Sequence, residues 1–222
     1  MVHFDENTKF PSDFKDNFLK NNNNKERFNK FVAKQLIDIH DGAKELVVTH
    51  GSMIITNVTA LQSDLLINSC TAEEADQKLV CHMFQCVQSG VKKIVVKTVD
   101  SDVVISLLAN RHKAGDMEGS NVYAWFGVGT SACYFDINKI TAELGKEKCQ
   151  ALPFFHTFTG CDTASSFFNQ GKCKFWDRWE EFEEVDTLTR TFAELSAKPA
   201  ALLSEQINVL ELFILTYIMG ML

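Results

Sequence analysis

No apolar leader opens this chain: Met1 to Phe10 is polar and charged, so no secretory signal is read there. Long apolar runs are also missing. The best candidate, Ile207 to Leu222, is interrupted by Glu211 and is shorter than the roughly 20 apolar residues a membrane span requires. It reads as a buried helix, and no membrane partner is expected. A disulfide framework is absent too, because the seven Cys are odd in number and spread out. Reduced thiols imply an intracellular protein, with nucleus and cytoplasm not distinguished. Cys81, His82 and Cys86 lie close together, but no second Cys/His pair follows at finger-like spacing. Small buried thiols are the simpler reading there. An excess of basic charge is lacking as well. A net charge of -7 does not mark a nucleic-acid binder, although a carboxylate cluster adds negative charge without covering the whole surface. No internal repeat and no long disordered tract is found.

What remains is an ordinary globular composition, with 45% hydrophobic residues and eighteen Phe to fill a core. A chain of 222 residues holds one α/β domain with a helical extension. Ser12 to Lys20 predicts a short helix, Asn21 to Asn24 a polar break, and Lys25 to His40 a helix with apolar residues at helical spacing. Glu45 to Thr49 and Met53 to Val58 predict two short strands around His50-Gly51. Thr71 starts a helix through a Thr71-x-x-Glu74 capping box, and Ser89-Gly90 ends it. Lys93 to Val99 contains the unbroken run Ile94-Val95-Val96, which predicts a strand covered on both faces, as in a parallel sheet. Val103 to Ala109 is the next helix, and Asn121 to Val128 and Ala132 to Phe135 are strand-like. Helices follow over Ile137 to Leu144, Lys146 to Phe158, Lys174 to Glu184, Leu188 to Leu195 and Ser204 to Met219. The expected fold is α/β in one domain over 1–222. It has a mostly parallel sheet with flanking helices over 1–150 and a helical part over 151–222.

Acidic residues occupy three positions where a carboxylate is awkward for folding. Glu73-Glu74-Ala75-Asp76 opens a helix, Asp100-Ser101-Asp102 ends a buried strand, and Asp162 sits in the glycine turn Phe158-Thr159-Gly160-Cys161-Asp162-Thr163. Each has a structural alternative. Glu74 can complete the cap on Thr71, Asp100 and Asp162 can each cap a following helix, and Asp102 suits a first helical turn. Asp76 is different, because it lies on the apolar stripe that continues through Val80 and Met83. Asp100 and Asp102 are two apart, so one can cap while the other faces a cleft. Carboxylates gathered at the carboxyl end of a sheet repel one another until protons or a divalent cation intervene. Oxygen-ligated Mg²⁺ or Mn²⁺ suits such a set, and two ions about 4 Å apart can drive phosphodiester hydrolysis.

The segments Glu73 to Asp76, Thr98-Val99-Asp100-Ser101-Asp102-Val103-Val104 and Leu152-Pro153-x-x-His156-x-Phe158-Thr159-Gly160-Cys161-Asp162-Thr163 resemble a group of uncharacterised metazoan proteins. That group is similar to the PIN-like superfamily, on its flap endonuclease side. The resemblance runs from about Phe14 to Phe213. In flap endonucleases a Glu-x-Glu pair opens a helix, an Asp-x-Asp pair ends a strand, and a Gly-x-Asp precedes a helical DNA-binding segment. By motif, Glu74 and Asp76 match the first, Asp100 and Asp102 the second, and Asp162 the third. The resemblance implies a Mg²⁺- or Mn²⁺-dependent nuclease-type hydrolase acting on DNA or RNA. Glu74, Asp76, Asp100, Asp102 and Asp162 would be ligands, and the four Asp would be catalytic. The pattern's further Asp ligands, on earlier strands, have no equivalent in Met1 to Val58. The resemblance therefore implies missing N-terminal strands and weak or absent cleavage, with an inactive interaction or nucleic-acid-binding module as the alternative.

Lys172, Lys174 and Arg178 are the candidate nucleic-acid contacts, interleaved with Phe175, Trp176 and Trp179. The alternative is an amphipathic helix whose aromatics pack inward. His156 is either a base or a hydrogen-bonded core histidine.

Overall fold

The computed structural model describes residues 5, 7–10, 12–51, 53–57, 75–115, 119–162, 164–168, 170–198 and 203–219. The chain is α/β and divides into two units, Met1–Cys81 and His82–Leu222.

In the first unit a short helical turn, Phe14–Phe18, precedes α1, Asn22–Asp38. The expected polar break at Asn21 to Asn24 is instead the start of α1. Asn21 Oδ1 accepts the Asn23 and Asn24 amides at 3.0 and 3.3 Å, so it satisfies two donors that a helix start leaves open. Strands β1, Val47–His50, and β2, Met53–Thr56, form an antiparallel hairpin in which Val47 faces Thr56 and His50 faces Met53. Helix α2, Ala75–Gln88, runs across the division between the units. The predicted cap at Thr71 and Glu74 lies outside the described residues.

The second unit begins its sheet with β3, Lys93–Thr98, which pairs in parallel with β4, Asn121–Phe126. Helix α3, Ser101–Arg111, connects them. Strand β5, Cys133–Asp136, pairs antiparallel to β4. The connection from β4 to β5 is residues 127–132, too short for a parallel crossover. Gly127 and Gly129 turn it with φ of 95° and 58°. Of the three strand pairs among the described residues, one is parallel.

The expectation that β3 is covered on both faces is not met. Ile94 and Val96 are buried while Val95 is 44% exposed between the exposed Lys93 and Lys97. Among the described residues the sheet has one covered face, where Ile94, Val96, Val122 and Ala124 pack toward α3 and α4, Ile137–Leu144. Three adjacent apolar residues do not reveal which of two faces is closed. The lysines on either side of the run carried that information.

Helix α5, Lys146–Phe158, packs on both α3 and α7, Val185–Ala197, so sheet-side and helical parts of this unit share one core. Pro153 is accommodated within α5, and beside it the Phe154 amide donates to Ser196 Oγ of α7 at 2.9 Å. Helices α6, Lys172–Glu181, and α8, Ser204–Met219, complete the layer. Phe175, Trp179, Phe192 and Phe213 are fully buried there. The inward-packing alternative for the α6 aromatics is therefore what the structure shows for Phe175 and Trp179. No described helix is long and apolar enough to cross a membrane. No disulfide joins the described cysteines Cys81, Cys86, Cys133, Cys149, Cys161 and Cys173.

Candidate functional site

The carboxyl end of β3 is built by a short relay of polar contacts. Thr98 Oγ1 accepts the Asp100 amide at 3.0 Å, and Asp100 Oδ1 accepts the Asp102 amide at 2.9 Å. Asp100 is thus the N-cap of α3, and Asp102 lies in its first turn. The two acids divide their roles as their spacing allows. Asp100 caps, and Asp102 turns to His156, whose Nε2 lies 2.7 Å from Asp102 Oδ1.

His156 stands on the last turn of α5, and the packing of α5 on α3 brings it to Asp102 across 54 residues of chain. Its side chain is 13% exposed and that of Asp102 is 44% exposed. His156 is therefore a hydrogen-bonded and largely buried histidine, in line with the second of its two sequence readings. A carboxylate orients its ring.

After α5 the chain reverses at Gly160, which has a φ of 101°. A Cβ there would lie 2.5 Å from Ser166 Cβ and 2.7 Å from Ser166 Cα, so both the conformation and the space require glycine. Cys161 and Ala164 exchange two backbone hydrogen bonds, at 3.0 and 3.1 Å, and hold the turn. Asp162 is exposed at this turn and makes no hydrogen bond or ion pair among the described residues. Asp162 is not the N-cap of a helix. The next helix is α6, and Gly171 is its cap residue.

Lys172 ties the turn to the histidine. Its ammonium donates to His156 O at 2.7 Å, to Thr159 Oγ1 at 3.1 Å, and to Gly160 O. These groups crowd the carboxyl terminus of α5, where a cation is favoured. Burial pulls the Lys172 ammonium below the usual lysine range, while Cys161 and Asp102 act to raise it again. Lys172, a candidate nucleic-acid contact by sequence, thus points its ammonium at the chain itself. Lys174 is exposed, and Arg178 is exposed with Nη1 3.1 Å from Glu181 Oε2.

The structure therefore gathers Asp100, Asp102, His156, Lys172 and the turn bearing Asp162 within the second unit. Asp76 is half-buried in the first turn of α2, in the first unit. Glu74 lies outside the described residues. Among the described residues, no three His, Cys, Asp or Glu side chains form a group able to hold a metal ion. No local pattern signals the Asp102–His156 pair, although each residue stands in one of the acidic or glycine-turn motifs.

Two other histidines respond to burial. His82 is held below its usual range by burial, and His112 by burial first and then by Lys146 and Arg111. A folded pKa depressed below 6.5 gives stability that is complete above 6.5 and is lost as pH falls through the folded value. Urea midpoints should therefore drop between about pH 7.5 and about pH 5. His112→Gln should flatten that dependence. An equal drop in His112→Gln would assign it to other groups.

No protein-family model, no curated protein and no solved structure matches the chain.

Proposed function

We propose that this chain is a metal-dependent nuclease-type domain that hydrolyses phosphodiesters, a PIN-like relative of flap endonucleases that acts inside the cell. The observation that carries this reading is the Asp102–His156 contact at the end of β3. It ties the Asp-x-Asp strand end to the segment that leads into the Gly-x-Asp turn. In open α/β sheets, ligands collect beyond the carboxyl ends of strands.

Oxygen donors of the kind a hard cation takes are present, although the described residues bring no three of them into one group. Asp100 and Asp102 each commit Oδ1 to a contact within the protein, to the Asp102 amide and to His156, and each has a second carboxylate oxygen. Asp162 adds an exposed carboxylate on the turn next to Lys172's anchor. Glu74 and Asp76 enter as ligands from motif order alone, as does the mostly parallel PIN-like sheet. Bound Mg²⁺ or Mn²⁺ would polarise the phosphate and lower the pKa of an attacking water. The chain's own part is to fix the carboxylates: Asp100 by capping α3, Asp102 through His156, and Asp162 through the Gly160 turn. Lys172 holds the end of α5 so that His156 and the turn keep their relation.

One observation favours a second reading, a non-catalytic PIN-like module that binds nucleic acid or protein. Asp102 is already paired with His156, and Lys172 supplies a neighbouring positive charge, so part of the acid charge is balanced internally.

Metal binding separates the two readings. A cation that binds only the folded state raises its stability by about 2.7 kcal/mol at a hundred times its Kd. Millimolar Mn²⁺ should raise the melting temperature, and Asp100→Asn should shrink the rise. Asparagine caps a helix as well as aspartate, so this substitution removes charge and spares the cap. An unchanged melting temperature in the wild type, with no heat of Mn²⁺ binding, would favour the non-catalytic module.

A further inference from the structure

The open face of the β3–β4–β5 sheet carries chemistry that the acid site does not use. Alternation along the strands puts Lys93, Val95 and Lys97 on this face, beside Tyr123 and Trp125 of β4 and Tyr134 of β5. A row of contacts crosses the strands. Lys97 Nζ lies 4.4 Å from the Trp125 ring centroid, and Trp125 stacks on Tyr134 at 5.7 Å with 17° between the planes. Lys93 Nζ lies 5.7 Å from the Tyr123 ring. Tyr134 is 62% exposed and stands on β5, which has β4 as its one neighbour among the described strands.

The charge on this face is one-sided. Neither Lys93 nor Lys97 makes an ion pair among the described residues. The carboxylate that alternation puts on the same face, Asp136, is already engaged. Its Oδ1 accepts the Lys139 amide at 3.0 Å, and its Oδ2 lies 3.8 Å from Lys139 Nζ. In a chain of net charge -7, this is a local cationic and aromatic surface.

The occupant has to satisfy both features. A purely apolar partner would desolvate two ammonium groups without a counter-charge, which is costly. Duplex nucleic acid offers phosphates but hides the faces of its bases. A single strand offers both, with phosphates for the lysines and bases for the rings. We infer that this sheet face binds single-stranded nucleic acid, with a base stacked on the outer face of Tyr134 and phosphates held by Lys97 and Lys93. On α6, by contrast, Lys172 donates to the chain itself and Arg178 faces Glu181, which leaves Lys174 as the exposed cation there without an ion pair among the described residues. The inference does not depend on catalysis or on metal at Asp102.

The test is fluorescence anisotropy of labelled oligothymidylate and oligouridylate with the full chain, at low salt and in EDTA. The wild type should bind a single strand more tightly than a duplex of the same length. Tyr134→Ala should weaken binding by about fivefold or more, the loss of one stacked base. Lys97→Gln should weaken it and lower the slope of log K against log salt by about one. Lys198→Gln, at the exposed end of α7, should bind as the wild type does. All three positions are exposed, and unchanged circular dichroism would confirm that the variants fold. The inference is overturned if the wild type binds neither oligomer. It is also overturned if Tyr134→Ala and Lys97→Gln bind unchanged. Wild-type self-association that Tyr134→Ala abolishes, without strand binding, would instead assign the face to a second copy of the chain.

Discussion

Replacing Gly160 with alanine is expected to remove about 2–5 kcal/mol of stability and to disorganise the acid site. Two costs add. An L-residue at a φ of 101° is strained, which contributes about 1–2 kcal/mol. The new methyl would also lie 2.5 Å from Ser166 Cβ and 2.7 Å from Ser166 Cα, which forces the 160–166 turn to open. That turn carries Asp162, and its Gly160 carbonyl receives the Lys172 ammonium. Urea denaturation measures the first effect. Ser166→Gly in the Gly160→Ala background should recover only part of it, because the clash with backbone Cα remains. A loss below about 1 kcal/mol would show that the turn is not closed in this way.

Trp179→Ala should cost about 3–5 kcal/mol, enough to consume much of a typical domain's margin of stability. Trp179 is fully buried, and its ring meets Phe155 at 4.9 Å and Phe192 at 5.1 Å. Its indole N–H donates to Thr189 Oγ1 at 2.9 Å. Thr189→Val keeps the volume and strands that donor, so it should cost about 1–3 kcal/mol. If Trp179→Ala costs no more than Thr189→Val, the ring is not the centre of the helical layer. Denaturation midpoints of the two variants decide this.

The parts of the site set by local chemistry were legible in the sequence. Asp100 as a cap, Asp102 as a first-turn acid two residues on, and Gly160 as a turn all follow from spacing and residue type. The Asp102–His156 contact was not legible, because it depends on α5 packing against α3 and no local pattern encodes that. The position of Lys172 among aromatics suggests a phosphate contact, whereas its acceptors are groups at the end of the preceding helix, among them the His156 and Gly160 carbonyls. The Ile94-Val95-Val96 run by itself suggests a doubly buried strand. An alternation of Lys93, Val95 and Lys97 fits an open face equally well, and the run of three cannot tell the two apart. The run Asn21 to Asn24 suggests a polar break, although an asparagine before a helical pattern is also a strong start signal.

The decisive measurement is cleavage of labelled single-stranded and flapped DNA and RNA by the wild type and by Asp102→Asn, in millimolar Mn²⁺ and in EDTA. Asparagine at this position can still hydrogen-bond His156, so the fold should persist while a charged ligand is lost. The nuclease reading predicts weak Mn²⁺-dependent cleavage by the wild type, absent in EDTA and absent in Asp102→Asn. Equal cleavage by the two proteins, or none by the wild type with Mn²⁺ bound, would contradict a phosphodiester site at the end of β3.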